Sequence, residues 1–260
     1  MVLSTTVDDG VAILRFENAE RMNSFDAETL QQIRAAFQHV MADDRVRAMV
    51  LTGSGKAFST GADVGAFHQS IQDGTSTQFV LDATAELHPL MLELHGCGKP
   101  LIAAVNGVAA GGGLGLALVA DARIGSSAAR FAAGYFGIGV SPDGGATWLL
   151  PRLIGEQRTR RFFFENEVMD AETALGCGLL DELVPEDDLV ASAVGLARRW
   201  GSWAFHSRES TKRLLEASLS NDFVAQLDME RGLIAAAAGT AGFREGVAAF
   251  VEKRPPDFSG

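Results

Sequence analysis

Two cysteines, one tyrosine and seven prolines among 260 residues exclude several kinds of protein at once. Cys97 and Cys177 show no C-x2-C spacing and stand beside no histidine pair, so neither a disulfide framework nor a structural zinc site is expected. The plain reading is two reduced core thiols, with no metal. Positive charge is also scarce. Lys and Arg total 22 against 33 Asp and Glu, a net charge of −11, which argues against a nucleic-acid or anionic-membrane surface. An acidic chain can still hold an anionic carrier, but only through local cations and backbone N–H groups. Long apolar runs are missing too: the longest, Leu114 to Ala120, falls far short of the ~20 residues of a membrane span. Met1 to Thr6 has neither a charged n-region nor an apolar h-region, so no signal peptide is expected. A cytoplasmic protein with no membrane contact follows as the expectation.

What is present is ordinary for a globular chain, 47% hydrophobic and 21% charged. The length suits one large domain, or one domain with an appendage. Val2–Val7 and Val11–Phe16 read as strands joined by the turn triplet Asp8-Asp9-Gly10. Asp26 reads as the N-cap of a helix whose apolar residues, Leu30, Ile33, Ala36, Phe37 and Val40, recur at helical spacing. Val46–Thr52 reads as a buried strand that empties into a glycine-bearing loop, Gly53 to Gly61. Leu101–Val105 does the same, running into Asn106-Gly107 and the triplet Gly111-Gly112-Gly113. The repetition predicts an α/β architecture with loops gathered at the strands' C-terminal ends. Beyond Arg152 the pattern is mostly amphipathic helix, with a short strand at Leu180–Val184 closed by Pro185. A boundary near 195–200 divides a core, residues 1–198, from a three-helix C-terminal segment, 199–260. Two prolines stop the last helix, and Pro255–Gly260 is expected to be a disordered tail.

The glycine triplet opens a helix-like segment, where small residues let backbone N–H groups approach a ligand closely. Close packing of helix on sheet would explain the same residues. A dinucleotide fingerprint is excluded by the spacing. A second amide from the loop Lys56 to Val64 would make an oxyanion hole, in which one donor is commonly worth ~3 kcal/mol. On a thioester, such a pair would favour enolate formation.

Phe58-Ser-Thr-Gly-Ala-Asp63 and Lys99 through Gly113 resemble the two signature segments of the enoyl-CoA hydratase/isomerase (crotonase-like) superfamily. Gly155, Ala174–Val184 and Glu245–Lys253 resemble its later segments, and the likeness covers nearly the whole chain. It implies a ClpP/crotonase spiral of ββα repeats with a C-terminal helical trimerisation region, assembled as a homotrimer or homohexamer. It implies backbone amides of Ala62 and Gly112 as the oxyanion hole. An acyl-CoA thioester would be the substrate, with no permanently bound cofactor. By the same resemblance Arg21, Met22 and Asn23, with the backbone of Ala62, Asp63 and Val64, would line the coenzyme A adenine and pantetheine, while Phe250 and Lys253 would reach over from a neighbouring subunit.

The departures from the family pattern bear on the reaction. The family's hydratases use two glutamates, and Gly115 and Tyr135 occupy those positions here. Neither can orient and deprotonate water, so ordinary hydration is not expected. Asp143, in Gly139-Val-Ser-Pro-Asp-Gly-Gly-Ala-Thr-Trp-Leu-Leu-Pro-Arg152, reads by itself as a turn or cap residue. The stretch, however, resembles the acid–base segment of ring-1,2-epoxyphenylacetyl-CoA and Δ3,Δ2-enoyl-CoA isomerases. That likeness implies one Asp shuttling a proton, either to shift a double bond from 3-enoyl to 2-enoyl or to rearrange an aromatic-ring acyl group. Burial among Phe136, Val140 and Trp148 is expected to raise its pKa, with Tyr135, Phe136 and Trp148 walling the substrate pocket. Two alternatives stay open. One is a 4-chlorobenzoyl-CoA dehalogenase-like hydrolase, with Asp143 as nucleophile and His88 as water-activating base. The other is an acyl-CoA-binding homologue without catalysis.

Overall fold

The computed structural model describes residues 2–258. Strands β1 (Leu3–Asp8) and β2 (Val11–Phe16) pair antiparallel, and Asp9 and Gly10 turn the chain between them at positive φ. Helix α1 (Ala27–Ala42) starts where Asp26 accepts the Thr29 amide at 2.9 Å, and it buries Leu30, Ile33, Phe37 and Val40. Each such fully buried side chain contributes ~1.5–3 kcal/mol.

The chain then winds as a spiral, each turn giving one strand to each of two sheets before a helix returns. The first turn is β3 (Ala48–Thr52), β4 (Ala57–Ser59), α2 (Val64–Gln72) and α3 (Ser76–Gly96). The second is β5 (Leu101–Val105), β6 (Val108–Ala110) and α4 (Gly112–Leu118). The third is β7 (Ala122–Gly125), β8 (Arg130–Ala132), α5 (Ala146–Ile154) and α6 (Glu156–Phe164). β9 (Val168–Asp170), α7 (Ala171–Gly176), β10 (Glu182–Leu183) and α8 (Leu189–Gly201) follow. Three helices, α9 (Phe205–Ala217), α10 (Phe223–Ala238) and α11 (Ala241–Glu252), end the chain. The larger sheet runs β1-β2-β3-β5-β7-β10 and the smaller β4-β6-β8-β9. This is the ββα spiral that the resemblance implies.

Every residue of β3 and β5 is buried, because both faces of the larger sheet are covered. Met49, Leu51, Leu101 and Ala103 pack on the side of α1 and α3, while Ala48, Val50, Ile102 and Ala104 pack against Leu189, Ala193 and Ala197 of α8. The boundary at 198/199 falls inside α8. Among the described residues no helix is long and apolar enough to cross a membrane.

Two expectations are corrected. The strand at 180–184 shrinks to Glu182–Leu183, the two residues in register with Ile124 and Gly125 of β7, while the flanking amides of Asp181 and Val184 donate to the Arg123 and Gly125 carbonyls. Residues 255–258 are tied down rather than loose: the Asp257 amide donates to Glu245 at 2.8 Å, and the Phe258 ring lies over Gly242 and Gly246. The last two residues of that expected tail, Ser259 and Gly260, lie outside the described residues.

Candidate active site

The site begins where two turns of the spiral touch. β4 and β6 run parallel, and each delivers its chain into a glycine turn at its C-terminal end. Gly61, at φ +78°, admits no side chain, since a Cβ there would stand 2.6 Å from the Gly112 nitrogen. At Gly113 a Cβ would stand 2.2 Å from the Ser59 carbonyl oxygen. The turns are therefore in backbone-to-backbone contact, an approach only glycine permits. Residues 22–25 hold the first turn from outside: Phe25 N donates to Gly61 O at 2.9 Å, and Asp63 N to Phe25 O at 3.1 Å. Among the described residues, the amides of Ala62 and Gly112 donate to no acceptor, and both residues line one cavity.

That cavity measures about 490 Å³ and is walled chiefly by apolar side chains, among them Phe25, Phe67, Val80, Leu87 and Tyr135. Asp143 is the only carboxylate among its lining residues. The segment bearing it crosses the first turn of α4: a Cβ on Gly115 would stand 2.4 Å from the Gly144 carbonyl oxygen, and one on Gly144 3.7 Å from the Gly112 Cα. Position 115 is thus closed to any side chain. Burial pushes the Asp143 carboxyl above its ordinary value, opposed by the Tyr135 hydroxyl and the charge of His88. The Tyr135 phenol is pushed up as well, first by its own burial and then by the neighbouring Asp143.

A second depression, of about 590 Å³, adjoins the first and shares Thr60, Ala62 and Val64 with it. Arg21, Met22 and Asp63 line it. Asp63 caps α2 with one oxygen, accepting from the amides of Gly65 and Ala66, and holds Arg21 with the other at 3.1 Å. The Arg21 guanidinium is otherwise presented to solvent, the placement a phosphate-bearing carrier would need.

Other expected residues are placed elsewhere. Asn23 is buried, and its side-chain amide donates to the carbonyls of Ser54, Ala57 and Phe58, so it builds the loop and lines neither depression. Phe136 and Trp148 are not in the cavity wall and stand 40% and 38% exposed, whereas Val140 lines the cavity with Asp143. Phe136 meets Phe164 at the surface, and Trp148 packs on His95 beneath the Arg152 guanidinium. His88 is exposed on α3 and lines a separate groove of about 430 Å³ with His95 and Trp148. Phe250, 86% exposed, and Lys253 lie on and just after α11 and border neither depression. Phe25, Phe67, Val80 and Leu87 carry no motif, and only their apolar character marks them in the sequence. Among the described residues no cluster of three or more His, Cys, Asp or Glu could hold a metal ion.

The enoyl-CoA hydratase/isomerase family model matches residues 6–260. A protein of Rhodobacter capsulatus named "Probable enoyl-CoA hydratase" is 39% identical over 258 residues, covering 98% of this chain and 96% of that one. The 1,2-epoxyphenylacetyl-CoA isomerase of Escherichia coli is 34% identical over 254 residues, covering 98% and 97%. The crystal structure of an enoyl-CoA hydratase from Bacillus anthracis superposes with a TM-score of 0.93 at 27% identity, covering the whole of both chains.

Proposed function

The chain belongs to the enoyl-CoA hydratase/isomerase family and has the crotonase-like fold, and we propose that within that family it is an acyl-CoA isomerase working with a single carboxylate. The observation that carries this reading is the Gly144 carbonyl seated against Gly115, which leaves Asp143 as the one acid in the cavity wall. Hydration needs water to be oriented and deprotonated and a proton to be delivered to carbon, work that the family's hydratases divide between two carboxylates. Isomerisation needs neither water nor a second acid.

In this mechanism the thioester oxygen lies between the amides of Ala62 and Gly112, and the acyl group fills the apolar cavity. Asp143 takes a proton from C2 of a 3-enoyl group. The C–H electron pair moves into the thioester, and the resulting dienolate oxygen is held by the two amides. The same carboxyl returns the proton to C4, leaving the double bond between C2 and C3. A raised pKa suits this work, since a carboxyl nearer the operating pH both accepts and returns a proton readily. The coenzyme A part would lie along Arg21, Met22 and Asp63–Val64. Phe250 and Lys253 of a neighbouring subunit complete that groove in a homotrimer or homohexamer, and the free Cys97 and Cys177 fit a cytoplasmic setting.

Rearrangement of an aromatic-ring acyl group is the second reading, favoured by the relative named 1,2-epoxyphenylacetyl-CoA isomerase and by aromatic walls at Phe25 and Phe67. The dehalogenase-like alternative is disfavoured, because His88 is exposed on α3 and does not line the cavity that holds Asp143, although its charge acts on that carboxyl.

The test is incubation with 3-hexenoyl-, crotonyl-, epoxyphenylacetyl- and 4-chlorobenzoyl-CoA, read by mass spectrometry and absorbance. Conjugation without a mass change is expected for 3-hexenoyl-CoA, and Asp143→Asn should lower its rate by about 10³-fold, with thioester affinity little altered. Water addition to crotonyl-CoA at a comparable rate would defeat the proposal, and binding without any turnover would leave only a thioester-binding role.

A further inference from the structure

Tyr135 is the chain's only tyrosine, it stands at the position of a hydratase glutamate, and the mechanism above gives it no task. Its ring is buried to 5% exposure and packs on Phe163 at 6.3 Å between centroids. Its main-chain carbonyl accepts the amides of Ile138 and Val140, each at 3.2 Å. Its hydroxyl turns back across the same segment and donates to the main-chain oxygen of Asp143 at 3.3 Å. One residue therefore fastens both ends of a loop. The stretch between needs fastening: Gly139, Gly144 and Gly145 all sit at positive φ, and glycine loses more conformational freedom on ordering than any other residue. The Asp143 carbonyl has one other recorded donor, the amide of Ala146 at the start of α5.

We propose that Tyr135 is a positioning residue for Asp143, its hydroxyl clasping the glycine-rich segment so that the carboxylate is aimed into the cavity. This rests on Asp143 being the base. Burial drives the Asp143 carboxyl toward its neutral form, while the phenol, close to the carboxylate as well as to its carbonyl, favours the charged form. The other charged groups around the segment are few. From α3, His88 acts in the same direction as the phenol, whereas Glu86 and Glu93 turn to Arg34 on α1. From α4 only Gly112 and Gly115 approach, without charge, and the α5 cation Arg152 is stacked on Trp148. α2 contributes Val64 and Phe67 to the cavity.

Two changes at this position pull in opposite directions. Tyr135→Phe keeps the ring and removes the donor. It should lower kcat on 3-hexenoyl-CoA about tenfold, leave KM within about twofold, and move the acid limb of kcat/KM up by about half a pH unit. Because the chain has one tyrosine, growth on 3-fluorotyrosine places the more acidic phenol at position 135 alone. A stronger donor should move the same limb down. The carboxyl of Asp143, followed by NMR in aspartate-labelled protein and assigned by its loss in Asp143→Asn, should shift in the same two directions. An acid limb and a carboxyl titration that stay put, or move down in Tyr135→Phe while the melting temperature is unchanged, would overturn the proposal. The NMR titration reads the clasp without turnover, so a fully active Asp143→Asn enzyme would end the reading of Asp143 as base and leave the Tyr135 result interpretable.

Discussion

At the scale of single residues, the proposed chemistry turns on one carboxylate, Asp143, where the family's hydratases use two glutamates. Gly115 is legible in the sequence as a missing glutamate. What the sequence does not display is that the space has been filled by the Gly144 carbonyl from a different loop. Restoring a side chain at 115 should therefore not restore hydration. Gly115→Ala already places its Cβ 2.4 Å from that oxygen. The expected result is a loss of ~1–3 kcal/mol, typical of overpacking, together with impaired isomerisation as the Asp143 segment is pushed off α4. Chemical denaturation and the 3-hexenoyl-CoA assay measure both. Asp143 carries a stability cost of its own. Its folded pKa lies above the ordinary 3.8, so the folded state holds the proton more tightly than the unfolded chain. Its contribution is fully present below that ordinary value and is lost as pH rises through the folded value. Asp143→Asn should consequently melt a few degrees above wild type at pH 7, with the gap closing below pH 3.8. A mutant less stable at neutral pH would contradict the burial assigned to this carboxyl.

Among the elements, those with a long internal period are legible and those defined by a partner are not. Asp26 caps α1 as its residue type suggests, because Asp26, Thr29 and the apolar stripe are all local. β4, β6, β8 and β9 have three residues each, too few to display an alternation, and they exist because each finds its neighbour in the smaller sheet. The chain's end shows the same limit. Pro255 and Pro256 read as a stop, yet Arg254 pairs with Glu245 and Glu252, and Glu245 also receives the Asp257 amide. The Arg254 guanidinium, followed by that amide, lowers the Glu245 carboxyl from 4.5 to about 2. A depressed carboxylate stabilises above its unfolded value, and that stabilisation disappears as pH falls from 4.5 toward about 2. The Asp257 amide should thus remain protected from hydrogen exchange at neutral pH and lose protection only in that acid range. Glu245→Gln should speed its exchange about tenfold or more at pH 7. Equal exchange in the two proteins would mean that the tail is held by the Phe258 contact with α11 instead.

For the whole molecule, the spiral brings the glycine turns at Gly61–Ala62 and Gly111–Gly112 and the loop bearing Asp143 to one cavity; the family resemblance singles out the first two by residues 58–63 and 99–113 and the third by residues 139–152. The cavity's walls were not legible, because Phe67, Val80 and Leu87 come from helices whose approach to α4 depends on packing across the fold. Assembly is the other property that belongs to this scale. No residue of α10 is buried, although the helix carries Phe223, Val224, Leu227 and Ile234. These four side chains, and Phe250 and Val251 of α11, are all exposed, an apolar load of the kind that a contact between subunits covers. If the neighbour's Phe250 and Lys253 complete the groove beside Arg21, thioester binding and assembly are linked. Replacing Phe223 and Ile234 together by Glu should yield a monomer by sedimentation, with unchanged far-UV circular dichroism. Its KM for acyl-CoA should rise about tenfold with kcat less affected, since Asp143, Ala62 and Gly112 all lie within one chain. A monomer with unaltered KM would show that each subunit holds coenzyme A by itself, and would remove Phe250 and Lys253 from the site.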